Sequence, residues 1–321
     1  MKNLGVAGRV ALTVAFVAVS LSPLRAQYAS ATRIDSPKSN DKREWAQFKD
    51  AQPPIYRLGI EEKNGYFIGN TKERVVQLAD SLYAQSKEIP YADYKGFSNF
   101  LRQAFADMKK TGVTDINRTF FEGVLAGDFD CDRGCFLGAQ IASMRGYIVT
   151  FVFTRDHVML KLDGKHYANI AGAYDPIDKA LLEKIYGPVC FETGDLKTAS
   201  FVVYNNLALK KHWLGESAVA VALADTAIAL APGVARLYYN RALFKTETGD
   251  LKGAENDLNL GLGLDMADDR LYYQFYKVKI ARKDYANAYA YLKMALAISP
   301  DDFEYKDKMA GLLRLRPELK N

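Results

Sequence analysis

Two of the three cysteines in the 321-residue chain lie four residues apart in the stretch GDFDCDRGCFLGAQIASMRG, Gly127 to Gly146. A thiol attacks a carbonyl as the thiolate, so it needs the positive end of a helix and a neighbouring imidazole. That imidazole needs a polar group to orient it. The stretch reads as a helix that begins at Asp130 or Cys131 and stops at Gly146. Cys131 then falls in the first turn, at the electropositive end. Cys135 falls one turn further in, beside Ala139 and Ala142, on the core side. The chain has three histidines. His157 opens a strand after Thr154-Arg155-Asp156, His166 lies just past a hairpin turn, and His212 belongs to a region of different character.

The elements that must position these groups follow the cysteine helix directly. YIVTFVFT, Tyr147 to Thr154, is rich in β-branched and aromatic residues. HVMLKL, His157 to Leu162, is a second strand, Asp163-Gly164 a tight turn, and HYANI the return strand. Alternation places His157, Met159 and Lys161 on one face. The start of the first hairpin strand opposes the end of the second, so His157 meets the Asn169–Ala171 region. An ideal two-residue turn puts Ile170 opposite His157. Asn169 shares the face of His157 only through a bulge or a one-residue slip.

Other chemistries compete for the same residues. Cys131, Cys135, His157 and His166 could form a zinc site, although structural zinc more often uses short-spaced pairs in knuckles. Cys131 could be a plain buried cysteine, and core packing is the simplest role for Cys135. A Cys131–Cys135 disulfide is disfavoured, because an i to i+4 helical pair rarely meets the required dihedral. Cys190, in GPVCFETG, reads as structural. Three cysteines are too few for a disulfide scaffold, and the odd count leaves a thiol over.

Residues 127–170 resemble the transglutaminase-like branch of the papain-like cysteine fold. The features that carry the resemblance are a Cys opening a helix that ends at a Gly, a strand, a His at the start of the next strand, and a polar residue on the strand after it. The resemblance implies Cys131 as nucleophile, His157 as general base and Asn169 as the orienting residue, with no metal or cofactor. Many members carry Asp in an Asp-Pro context at the third position. Here Asn169 is not followed by Pro, and Asp175-Pro176 stands six residues later. Asp175 is therefore the alternative third residue and Asp163 a weaker choice. The Cys131 backbone N–H would contribute to an oxyanion hole.

Residues 1–26 read as a signal peptide. Lys2 and Arg9 precede the apolar run Val10–Leu21, and cleavage fits after Ala26 or after Ala31. The run is short for a spanning helix, which leaves a membrane anchor as the other reading. An exported protein, periplasmic or extracellular, is expected. Loss of Lys2, Arg9 and Arg25 would lower the net charge from +5 to +2. No dense basic stripe suggests nucleic acid, and no later segment is apolar enough to span a bilayer. Residues 27–58 are polar and broken, as in a linker. Helices are expected from Lys72 to Gln85, capped by Thr71, from Pro90 to Lys110, from Thr114 to Gly127, and over Pro176–Tyr186. Together with the hairpin they make residues 59–198 an α+β domain: a helical segment and a papain-like core of a helix packed on an antiparallel sheet.

From residue 201 the chain repeats every 34 residues. Pro232, Met266 and Pro300 are so spaced, as are Tyr204, Tyr238 and Tyr272, and Ala220, Ala254 and Ala288. Three repeats (201–234, 235–268, 269–302) and a capping helix fit the tetratricopeptide pattern of an all-α solenoid, whose small residues let paired helices approach closely. Such an array offers its concave face to a protein or peptide partner. Two function classes result. One is an exported cysteine hydrolase or acyl transferase acting on an amide bond. The other is a catalytically inactive scaffold in which the repeats carry the function.

Overall fold

The computed structural model describes residues 71–108, 130–170 and 178–320, together with 123, 124, 127, 172 and 175. The expected signal peptide and linker, and most of the helix expected from Thr114, lie outside the described residues. The chain divides into two compact units at Ala199–Ser200.

In the first unit, α1 (Thr71–Ser86) and α2 (Tyr94–Met108) precede the cysteine helix α3 (Cys131–Met144). The start of α2 falls later than Pro90 because Asp93 takes the cap, its Oδ1 accepting the Gly96 N–H at 2.8 Å. Asp130 caps α3 in the same way, accepting the Arg133 N–H at 2.8 Å. At its far end Gly146 turns left-handed (φ 87°) and the Tyr147 N–H returns to the Ala142 carbonyl.

Four strands follow: β1 (Val149–Thr154), β2 (Val158–Leu162), β3 (His166–Ala168) and, after helix α4 (Lys179–Tyr186), β4 (Val189–Thr193). They form one antiparallel sheet in the order β3-β2-β1-β4. The fourth strand, which contains Cys190, was not expected from the sequence. Helix α4 starts at Lys179 rather than Pro176 because Asp178 caps it through the Leu181 N–H.

Register sorts the sheet into two faces. Val152 pairs with Met159 and Lys161 with Tyr167; Val152, Met159 and Tyr167 form a buried cluster with Leu182 of α4. Phe151 and Leu160 point the other way, towards α3, where Phe136 packs on Phe151 at 4.9 Å between ring centres. Gly138 allows that helix to come close: a methyl there would lie 2.3 Å from Ile170 Cδ1.

A single turn, α5 (Leu196–Ala199), ends the first unit. The second is a run of helices: α6 (Phe201–Trp213), α7 (Ser217–Leu230), α8 (Ala235–Glu247), α9 (Leu251–Leu264), α10 (Asp269–Ala281), α11 (Tyr285–Ile298) and α12 (Phe303–Leu315). The starts of α6, α8, α10 and α12 are 34 residues apart, and so are those of α7, α9 and α11. Each pair packs together and then on the next, a helical solenoid of the tetratricopeptide-like kind. Ala220, Ala254 and Ala288 are each fully buried. The periodic tyrosines have a repeated job. Tyr238 donates to the Pro232 carbonyl at 3.0 Å and Tyr272 to the Met266 carbonyl at 3.1 Å, tying α8 and α10 to the loops before them. The turn residues Gly215, Gly249 and Lys283 are all left-handed (φ 78°, 83° and 59°). Among the described residues no helix is long and apolar enough to cross a membrane.

Ala254→Leu should destabilise the C-terminal unit by roughly 2 kcal/mol, since extra methylenes at a filled site force repacking. Urea unfolding followed by circular dichroism measures this. Lys283→Gly should move the same transition the other way by about 0.5 kcal/mol, because a Cβ in left-handed backbone costs more than the added glycine entropy.

Candidate functional site

The hairpin that carries His157 is set by its turn. Asp163 and Gly164 both have positive φ (49° and 66°), and the Lys165 N–H closes the turn on the Leu162 carbonyl at 2.9 Å. Leu162 then pairs with His166, which leaves Lys165 as an extra residue. The hairpin connection is thus three residues long, not two. In this register Leu160 faces Ala168, so Met159 stands opposite Asn169 and His157 is its diagonal neighbour on the same face. That is the one-residue slip that the alternation required.

His157 and Asn169 lie just beyond the paired ends of β2 and β3. The His157 Nε2 is 2.8 Å from Asn169 Oδ1, and Asn169 is completely buried. The Asn169 Nδ2 donates to the Tyr186 hydroxyl at 2.7 Å. The Tyr186 ring, at the end of α4, stacks on His157 with centres 4.2 Å apart. The turn before β2 is fixed as well, with the His157 N–H donating to Thr154 Oγ1 at 3.1 Å. Burial pushes the His157 pKa below its ordinary value, against the opposing pull of the Asn169 hydrogen bond and the Asp132 charge. Burial thus favours the uncharged ring.

The two helix cysteines differ. Cys131 is the first residue of α3 and half-buried; its Sγ lies 3.7 Å from Asp132 Oδ1. Cys135 is fully buried and its thiol donates to the Val158 carbonyl at 3.3 Å. Burial pushes its pKa well up, and the charges of Cys131, Asp132 and Asp130 add to the effect. The contact with Val158 brings α3 against the residue next to His157. None of the three cysteines is in a disulfide, and Cys190 Sγ donates to the Phe153 carbonyl at 3.3 Å. Among the described residues no three His, Cys, Asp or Glu side chains are grouped to hold a metal ion.

Asp175 pairs with the other hairpin histidine. Its Oδ2 is 3.0 Å from His166 Nε2, and its Oδ1 accepts from Ser98, from Arg102 and from the Asn169 backbone N–H at 2.8 Å. It therefore holds the Asn169 main chain, while the Asn169 side chain faces His157. Asp163 accepts from Tyr91, Tyr94 and the Ile148 N–H. The sequence reading did not pick out Tyr186 or Arg102. No local signal marks them, because each reaches the site from a distant element.

No protein-family model matches the chain, and no curated protein matches it. Among solved structures it is similar to the first TPR domain of human RPAP3 (19% identity, TM-score 0.36, covering 38% of this chain and 95% of that one). It is likewise similar to the first TPR domain of Spaghetti bound to an HSP90 peptide (19%, TM-score 0.35, 37% and 96%). A third similar structure is the Arabidopsis OM64 TPR domain (21%, TM-score 0.35, 36% and 97%).

Burial alone would raise the Asp175 pKa, but the bonds from His166, Asn169 and Ser98 and the Arg102 charge outweigh it and lower it. A carboxyl lowered on folding stabilises the protein above its unfolded value of about 3.8 and loses that contribution as pH falls through the folded value. Asp175→Asn should thus cost roughly 2–3 kcal/mol at pH 7. The difference from wild type should shrink below about pH 3.8, where the carboxyl of the unfolded chain takes up a proton while the folded one still resists it. Urea titrations from pH 7 to 3 read both.

Proposed function

We propose that the C-terminal repeats bind a protein or peptide partner and that the N-terminal unit carries a thiol-based centre for amide hydrolysis or acyl transfer. The observation that carries the catalytic part is the His157–Asn169 hydrogen bond, 2.8 Å long and formed on a fully buried amide. It orients an imidazole that burial makes harder to charge, one residue before the Val158 carbonyl that the Cys135 thiol of the cysteine helix contacts. The order of cysteine helix, strand, histidine, hairpin and asparagine supports a transglutaminase-like, papain-like core.

In this reading the Cys131 S–H proton passes to His157 Nδ1 and the sulfur attacks the amide carbon. A C–S bond forms as the carbonyl π pair moves to oxygen, to which the Cys131 backbone N–H can donate. The oxyanion collapses, the C–N bond breaks, and His157 returns the proton to the leaving amine. Water, or a second amine, then attacks the thioester with His157 as base and releases Cys131. No metal takes part. Export through residues 1–26 belongs to the same reading.

The partner surface lies on the first helices of the repeats, which pack on one another, α6 on α8 and α8 on α10. Here the half-buried Lys277 covers the buried Tyr273 ring, its Nζ 4.6 Å above the ring centre, with Tyr276 stacked beside it. A second reading makes the first unit a binding fold without catalysis. It is favoured by the register, which turns His157 and Asn169 towards the α4 side of the sheet while α3 covers the other, and by the approach of the Cys131 thiol to Asp132. Thiol and ring must then meet past the strand ends rather than across the sheet.

Iodoacetamide labelling of the full chain, resolved by peptide mass, separates the two. Cys131 should react at pH 7 at least about tenfold faster than Cys135, and His157→Ala should remove most of that advantage. Equal rates for Cys131 in wild type and in His157→Ala would leave the scaffold reading.

A further inference from the structure

We propose that Tyr186 is a positioning residue for this centre, holding the His157 ring plane through its own ring and the Asn169 amide through its hydroxyl; the proposal rests on the thiol–imidazole reading above. The imidazole has two nitrogens, and Nε2 is committed to Asn169 Oδ1. A proton on Nε2 donates to that oxygen and leaves the Nδ1 lone pair to accept from a thiol. This works only while the amide oxygen, and not its NH2, faces the ring. Turned over, the amide would donate into Nε2, drive the ring proton to Nδ1 and abolish the base.

The Tyr186 hydroxyl anchors the amide from its far side. It takes the Asn169 Nδ2 at 2.7 Å, giving the NH2 an acceptor on the side away from the ring. Asn169 has no solvent exposure, so water cannot replace that acceptor cheaply. The Tyr186 ring meanwhile stacks on His157 at 4.2 Å and 18° between planes, which fixes the imidazole plane. Both actions come from one rigid element. Helix α4 is anchored by the fully buried Leu182 among Val152, Met159 and Tyr167, and Tyr186 packs on the same cluster. The amide is confined from the other side too: a methyl on Gly172 would fall 2.0 Å from Asn169 Nδ2.

The test is the pH profile of Cys131 alkylation by iodoacetamide between pH 5 and 9, in the full chain. The variants are Tyr186→Phe, which keeps the ring and loses the hydroxyl, Tyr186→Ala, and His157→Ala as reference. Tyr186→Phe should still melt in one cooperative transition, lowered by the unmet Asn169 NH2, yet move the alkylation midpoint up by about one unit, towards a free thiol, slowing Cys131 roughly tenfold below the midpoint. Tyr186→Ala should move it at least as far. A Tyr186→Phe profile that overlays wild type, while His157→Ala shifts it, would reduce Tyr186 to packing and leave the thiol–imidazole reading standing. A profile unchanged in His157→Ala would overturn that reading and this proposal together.

Discussion

Asp163 and Gly164 in left-handed backbone, followed by Lys165 as an extra residue, shift the β2–β3 pairing by one position relative to a two-residue turn. Because side chains alternate with period two, that single residue decides whether Asn169 shares a face with His157 or points to the opposite side. The Asn169 bond to the ring, the Tyr186 contacts and the placement of Ile170 against Gly138 all depend on this register. The turn is held in place by more than its own geometry. Asp163 receives the Ile148 N–H and the hydroxyls of Tyr91 and Tyr94, so the segment around the start of α2 fixes the residue that sets the register.

The two units reach stability by different routes, and this governs what could be read from sequence. The repeats depend on contacts with nearest neighbours, so a 34-residue spacing of Tyr, Ala and turn residues states the whole architecture. In the first unit the cysteine helix and the β1–β2–β3 order were legible from a Gly stop, β-branched runs and the Asp163-Gly164 pair. Strand β4 was not: its five residues pair with β1 about 40 positions earlier, and VCFET shows no long alternation. The length of the turn escaped for another reason. Asp-Gly fits the two-residue turn, and nothing local in Lys165 says that it will stand outside the ladder.

Asp175 shows how a correct choice of residue can leave its task unread. Its Asp-Pro context drew attention to it, but its partners Ser98 and Arg102 lie 77 and 73 residues away, and His166 completes the set. Those contacts turn a candidate partner for His157 into the anchor of the Asn169 main chain. The carboxylate then acts on the ring at one remove, by fixing the backbone from which the amide reaches it.

The electrostatics around the cysteine end of α3 pull in two directions. Asp130 is engaged as the helix cap and pairs with the Arg133 guanidinium at 3.0 Å, which offsets its charge. Asp132 acts on both members of the proposed dyad: its charge favours a protonated His157, and the same charge disfavours a thiolate on the residue beside it. The helix dipole opposes the second effect. In the proposed ion pair Asp132 would favour the ring cation and the helix end would favour the thiolate, while the Asp132 charge, 3.7 Å from the sulfur, would oppose the thiolate. An Asn at position 169 suits such a site. As a neutral acceptor it holds the ring through one hydrogen bond without adding a second anion beside it.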